Sequence, residues 1–109
     1  VVNNLVGFRQ SDLLILISVL QKHSEVKEAW LFGSRAKGNF KKGSDVDIAL
    51  KGNNLNFNII ADISYELNEE TSLPYKFDVL NYDTINNNDL KQHIDRVGIC
   101  FYPESGINS

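Results

Sequence analysis

Cysteine is almost missing from this chain. Cys100 stands alone, so no internal disulfide can form and the fold must be held by its core. Long apolar runs are missing too. The longest, Leu13 to Leu20, is broken by Ser18 and falls far short of the roughly 20 residues a membrane-spanning helix needs. No leader with a charged start and an apolar centre is visible. Positive charge is scarce: 11 Lys and Arg against 14 Asp and Glu leave a net charge of −3 and a pI of about 5.2, which argues against coating nucleic acid in bulk. Methionine is absent and the chain opens on Val1, so its natural start is expected to lie upstream or to have been trimmed. These absences favour a reducing compartment, and the cytoplasm is the expected location. Cys100, inside Ile99-Cys100-Phe101-Tyr102, reads as a small buried hydrophobe.

What is present suits one globular domain. The 109 residues are 42% hydrophobic and 23% charged, enough for one core and no more. A single domain over 1–109 is expected, with an ordered core at about 11–102 and tails at 1–10 and 103–109. Ser11 offers a helix cap. Leu13, Leu14, Leu16, Ile17 and Leu20 follow at helical spacing, with Ile15 and Val19 outside the stripe, so a largely buried helix is expected over 12–23. Val26 to Phe32 reads as a strand that stops at Gly33. Asp45 to Leu50 reads as a second strand and Leu55 to Glu69 as a second helix, with Phe57, Ile60, Ile63, Tyr65 and Leu67 in a rough stripe. Tyr75 to Leu80 follows Pro74 as a third strand. Asp83 to Asn88 is a polar turn, Asp89 a cap, Leu90 to Val97 a helix ended by Gly98, and Ile99 to Tyr102 a last strand. The short link between the first two strands permits an antiparallel pair, and the helical crossovers favour parallel neighbours afterwards. The predicted fold is α/β (α+β): a mixed four-stranded sheet with helices mainly on one face.

The most informative stretch is LFGSRAKGNFKKGSDVDIAL, Leu31 to Leu50. It joins a Gly33-Ser34 turn to Asp45 and Asp47. In a strand, residues i and i+2 share a face, so the two carboxylates can converge while Val46 and Ile48 anchor the other face. Two like charges so close repel unless a cation lies between them, and Mg²⁺ suits oxygen ligands shared with phosphates. Asp78, in Tyr75-Lys76-Phe77-Asp78-Val79-Leu80, looks buried and repeats the alternation. Beside the other pair it completes a set able to hold two metal ions roughly 3.5–4 Å apart, the geometry of in-line displacement at phosphorus. Gly33 lets the backbone turn sharply towards a ligand, and a short helix from Ser34 would present N–H groups to a triphosphate. Arg35 and Lys37 suit its β- and γ-phosphates. They belong, with Lys41 and Lys42, to a loop that gathers positive charge in an acidic chain.

Other phosphate and metal motifs fit less well. Gly33-x-x-x-x-Gly38 starts a P-loop, but Asn39-Phe40 follow where Lys and Ser or Thr belong. Asp45-x-Asp47 starts an EF-hand, but Ala49 and Leu50 stand where a ligand and the turn glycine belong. No Cys/His constellation supports zinc. His23 and His93 sit in helical patterns without partners, and Trp30 and Phe32 read as core. Tyr65, Tyr75, Tyr82 and Tyr102 carry no assigned role.

Gly-Ser, ten residues, Asp-x-Asp and then a lone Asp in an apolar strand resemble the DNA polymerase β-like nucleotidyltransferase superfamily. The small size is similar to its minimal, MntA-type branch, and the ending Ile94-Asp95-Arg96-Val97-Gly98-Ile99-Cys100-Phe101-Tyr102 is similar to how such domains close. The resemblance implies Gly33 and Ser34 as the nucleotide-phosphate turn, and Asp45, Asp47 and Asp78 as the metal-binding and catalytic carboxylates. It implies transfer of a nucleoside monophosphate, AMP from ATP, to a hydroxyl. The implied acceptor is a tyrosine of a HEPN-domain toxin partner, which modification silences. Larger relatives add a second domain for base and acceptor. Here both functions are expected from a partner, another copy or a shallow surface. Two rival readings remain: a non-catalytic nucleotide-binding module that neutralises its partner by occlusion, and the catalytic half of a two-chain enzyme acting on a small molecule.

Overall fold

Antiparallel pairing of two consecutive strands organises the domain. The computed structural model describes residues 7–41 and 43–103. Its elements are helix α1 (Gln10–Gln21), strand β1 (Val26–Phe32), short helix α2 (Gly33–Lys37), strand β2 (Val46–Gly52), helix α3 (Phe57–Tyr65) continued by a π turn (Glu66–Glu70), strand β3 (Phe77–Asn81), a 3-10 turn (Tyr82–Thr84), helix α4 (Asn88–Val97) and strand β4 (Ile99–Tyr102). The sheet order is β3-β2-β1-β4. β1 runs antiparallel to both β2 and β4, and β2 runs parallel to β3. The helical crossovers therefore keep β2, β3 and β4 pointing one way, as expected. The departure is β4, whose neighbour is antiparallel: it closes on the free edge of β1 instead of extending the parallel half.

Alternation along the strands divides the core. Ala29, Leu31, Val46, Ile48, Leu50, Phe77, Val79 and Phe101 form one buried cluster with Leu13, Leu16, Ile17 and Leu20 of α1 and with Ile63 and Leu67. On the opposite face Phe32 and Ala49 pack with Ile94 of α4, flanked by Trp30, Leu80 and Leu90. Two of the three longer helices thus cover one face and α4 the other.

Several local expectations are corrected. α1 starts two residues early, with Arg9 in the capping position and no side-chain cap, so Ser11 lies inside the helix. The expected lead-in over 1–10 therefore already contains the helix start and Phe8, which packs on the core. Residues 1–6 and 104–109 of the expected tails lie outside the described residues. Leu14 is 52% exposed, while Val19, read as off the stripe, is buried. In α3 the Asn56 side chain accepts the Ile59 N–H and sets the start. The core stripe is Ile59, Ile60, Ile63 and Leu67; Phe57 and Tyr65 face solvent, because they lie off that helical face. Asn87, not Asp89, caps α4 by accepting the Leu90 N–H. Gly98 is extended, at φ −63°, and not left-handed. A side chain there would collide with the Ile94 carbonyl oxygen and press on Trp30, so close approach explains the glycine. Cys100 is half-buried and its thiol donates to the Tyr102 carbonyl.

Candidate active site

The candidate site forms where the end of β1 meets the starts of β2 and β3. Phe32, the last residue of β1, pairs with Asp47, and Asp47 pairs in turn with Asp78 across the parallel ladder. Paired residues project to the same face. Asp47 and Asp78 therefore stand side by side on the face that carries α4. Val46 and Ile48 are fully buried on the other face, as the alternation requires. Asp45 stands one residue before β2 and is exposed, so the strand starts later than the sequence suggests. Asp78 is also exposed, which corrects its buried appearance in the sequence.

The three acids are close enough to influence one another. The Asp47 carboxyl is held above its ordinary value, first by burial, then by the charge of Asp78, then by that of Asp45. They do not close into a cage. Among the described residues no three His, Cys, Asp and Glu side chains gather tightly enough to hold a metal ion as they stand. The donor set still fits a hard divalent cation: it is all oxygen, it is carried by paired strands, and its central member is destabilised as an anion.

Gly33 follows Phe32 directly and opens α2. Its φ of +75° is the left-handed region that favours glycine. A side chain there would collide with the Asp47 carboxylate. The Gly-Ser turn therefore touches the acid, and no larger residue permits that approach. The Gly33 N–H donates to Nε2 of His93 in α4, at 3.2 Å. The His93 ring meets Phe32 edge-on, 6.2 Å between centroids. Sequence reading assigned His93 no role; 60 residues separate it from Gly33 and no local signal links them.

Arg35 is the main correction. It is only 3% exposed. Its Nε and Nη2 donate to the Ser44 carbonyl at 3.2 and 3.0 Å. Its guanidinium lies 5.6, 4.7 and 5.1 Å from the ring centroids of Phe8, Phe40 and Tyr75. A planar cation stacked among aromatic rings and bonded to backbone is committed to structure, so Arg35 does not stand free for phosphate. It links α2 to the residue before Asp45 and so holds the turn and the acids in register. Lys37 is exposed and half-buried Ser34 precedes Arg35 in the turn. Lys42 lies outside the described residues.

A tight turn laid on paired carboxylates of a mixed sheet defines the class: a nucleotidyltransferase-fold domain. The sequence model of the family "Polymerase beta, Nucleotidyltransferase" matches residues 15–106, and the chain belongs to that family. Within the family it is similar to the probable protein adenylyltransferase MntA of Haemophilus influenzae, with 33% identity over 90 residues, 82% of this chain and 77% of that protein. Its fold is similar to a crystal structure of a toxin–antitoxin with AMP-PNP (TM-score 0.68, 19% identity, 87% of this chain and 73% of that one). It is also similar to the structure of a tri-AMPylated Shewanella oneidensis HEPN toxin in complex with MNT antitoxin (TM-score 0.67, 17% identity, 93% of this chain and 77% of that one). Among the described residues no helix is long and apolar enough to cross a membrane.

Proposed function

We propose that this nucleotidyltransferase is a protein adenylyltransferase that moves AMP from ATP onto a hydroxyl, a tyrosine of a HEPN-domain toxin, and acts as the antitoxin of that partner. The observation that carries the reading is the pairing of Asp47 with Asp78 directly beside the Gly33–Ser34 turn. The relative named as an adenylyltransferase, and a similar fold solved with an AMPylated toxin, favour AMP and a protein acceptor.

In the proposed reaction the acceptor oxygen attacks the α-phosphorus and forms a new P–O bond. The bond from that phosphorus to the oxygen bridging the β-phosphorus breaks, and pyrophosphate leaves with the electron pair. Ser34 and Lys37 hold the phosphates, and Gly33, its N–H engaged by His93, lets the turn approach the Asp47 carboxylate. Asp45, Asp47 and Asp78 would hold Mg²⁺, two ions in the full site, which would supply positive charge for the leaving group and lower the pKa of the acceptor hydroxyl. Asp78, exposed like Asp45, takes the hydroxyl proton on its way to solvent.

The test uses ATP labelled at the α-phosphate, Mg²⁺ and the cognate HEPN partner. Wild type labels the partner, whereas Asp45→Asn and Asp47→Asn each lose at least about 100-fold in rate, the scale of removing a principal electrostatic group. Wild type that transfers nothing ends the enzyme reading. Asp45→Asn that still silences the toxin without labelling it establishes occlusion instead.

A further inference from the structure

We propose that His93 is a positioning residue for nucleotide transfer. Its Nε2 accepts the Gly33 N–H and thereby fixes the glycine–serine turn against the Asp47 carboxylate. The inference rests on the reading of Gly33–Ser34 as the nucleotide turn, and it assigns a part in the site to the C-terminal helix.

Three contacts carry it. Gly33 is held in the left-handed region, φ +75°, where its neighbour across the sheet is the Asp47 carboxylate itself. Small rotations about Gly33 would swing Ser34 relative to that carboxylate, because glycine has no side chain to restrict them. Its N–H is bonded to His93 at 3.2 Å, a side chain from the far end of the chain. His93 in turn is placed by its neighbours: Ile94 is 1% exposed and locks α4 onto Phe32 and Ala49, and the imidazole stands edge-on to Phe32. The residue before the turn and the donor within it are thus gripped by one helix.

The bond also specifies the imidazole. An acceptor Nε2 requires the neutral ring with its proton on Nδ1. A group that only fills space would need no acceptor atom at this position. A glutamine at 93 offers an amide oxygen to the same N–H, and an alanine offers nothing.

The experiment compares wild type, His93→Ala and His93→Gln in the full chain. Binding of AMP-PNP with Mg²⁺ is measured by calorimetry, steady-state transfer from ATP to the HEPN partner by label, and the Gly33 amide by NMR in nucleotide-free protein. His93→Ala weakens AMP-PNP binding and raises KM for ATP by about tenfold, the scale of one lost hydrogen bond. It also exposes the Gly33 amide to faster exchange. His93→Gln keeps the amide protected and restores binding to within about threefold of wild type. Two results overturn the proposal: His93→Ala that binds and transfers like wild type, or His93→Gln as impaired as His93→Ala at equal thermal stability. Wild type that binds no nucleotide is a different failure, since it removes the nucleotide reading and the His93 proposal with it.

Discussion

Asp47 is the residue on which the site's electrostatics converge. Burial and the charges of Asp78 and Asp45 all favour its protonated form. In the unfolded chain that carboxyl titrates near its ordinary value of 3.8. The folded protein therefore holds the proton to higher pH than the unfolded chain does. The stability this contributes is complete below 3.8 and is lost as pH rises through the elevated folded value. At neutral pH and without metal, ionised Asp47 is a liability. Asp47→Asn is accordingly expected to raise the melting temperature by about 2–4 °C in chelator at pH 7, a modest gain because solvent screens a half-buried charge. The variant should also lose part of the fall in stability that sets in as pH rises above 3.8. A variant that melts lower than wild type at pH 7 would show that the repulsion is not felt. Arg35 teaches the complementary lesson. Its place in the Gly-Ser-Arg run suggested phosphate, but three aromatic rings and a carbonyl already satisfy it.

At the scale of elements, the outer edge of β3 is managed by one side chain. The Asn68 amide donates to the Phe77 carbonyl at 3.0 Å and its oxygen accepts the Phe77 N–H at 2.8 Å. A side chain thereby replaces one residue of a missing fifth strand, beside the position that carries Asp78. Asn68→Leu, similar in size, should leave both backbone groups unpaired and cost about 1–3 kcal/mol, read from the shift in urea midpoint at unchanged slope. It should also promote association through the uncovered edge. An unchanged midpoint would mean that water replaces the amide without loss. The strands themselves were legible, since Val26–Phe32 and Ile99–Tyr102 match the sequence reading residue for residue. Helix starts were not. Ser11 and Asp89 offered good capping chemistry, but Arg9 and Asn87 hold the capping positions, because packing of α1 and α4 sets where each helix begins.

The whole molecule is a sheet whose carboxylate end opens outward, with both Asp45 and Asp78 exposed. On the proposed reading, substrate and cation would supply each other's missing contacts: the acids would take a cation, and the cation phosphate oxygens. AMP-PNP with Mg²⁺ is therefore expected to stabilise the protein as a pair. At 100-fold excess over Kd, the gain is about 2.7 kcal/mol, or roughly 10–20 °C in melting temperature. Either component alone should give less than about a third of that shift. Equal shifts with AMP-PNP alone would argue that the carboxylates take no part in binding.

The sequence by itself determined which residues are candidates for the site. Gly33, Ser34, Asp45 and Asp47 announce themselves because a turn glycine and alternating acids on a strand are local patterns, read within one stretch of chain. What only the tertiary structure decided was which groups meet. Strand register set Asp47 against Asp78, the packing of Ile94 brought His93 to Gly33, and an aromatic cage took Arg35 out of reach of substrate. Those contacts join residues far apart in the chain. They follow from how buried faces close on one another, which no local spacing records.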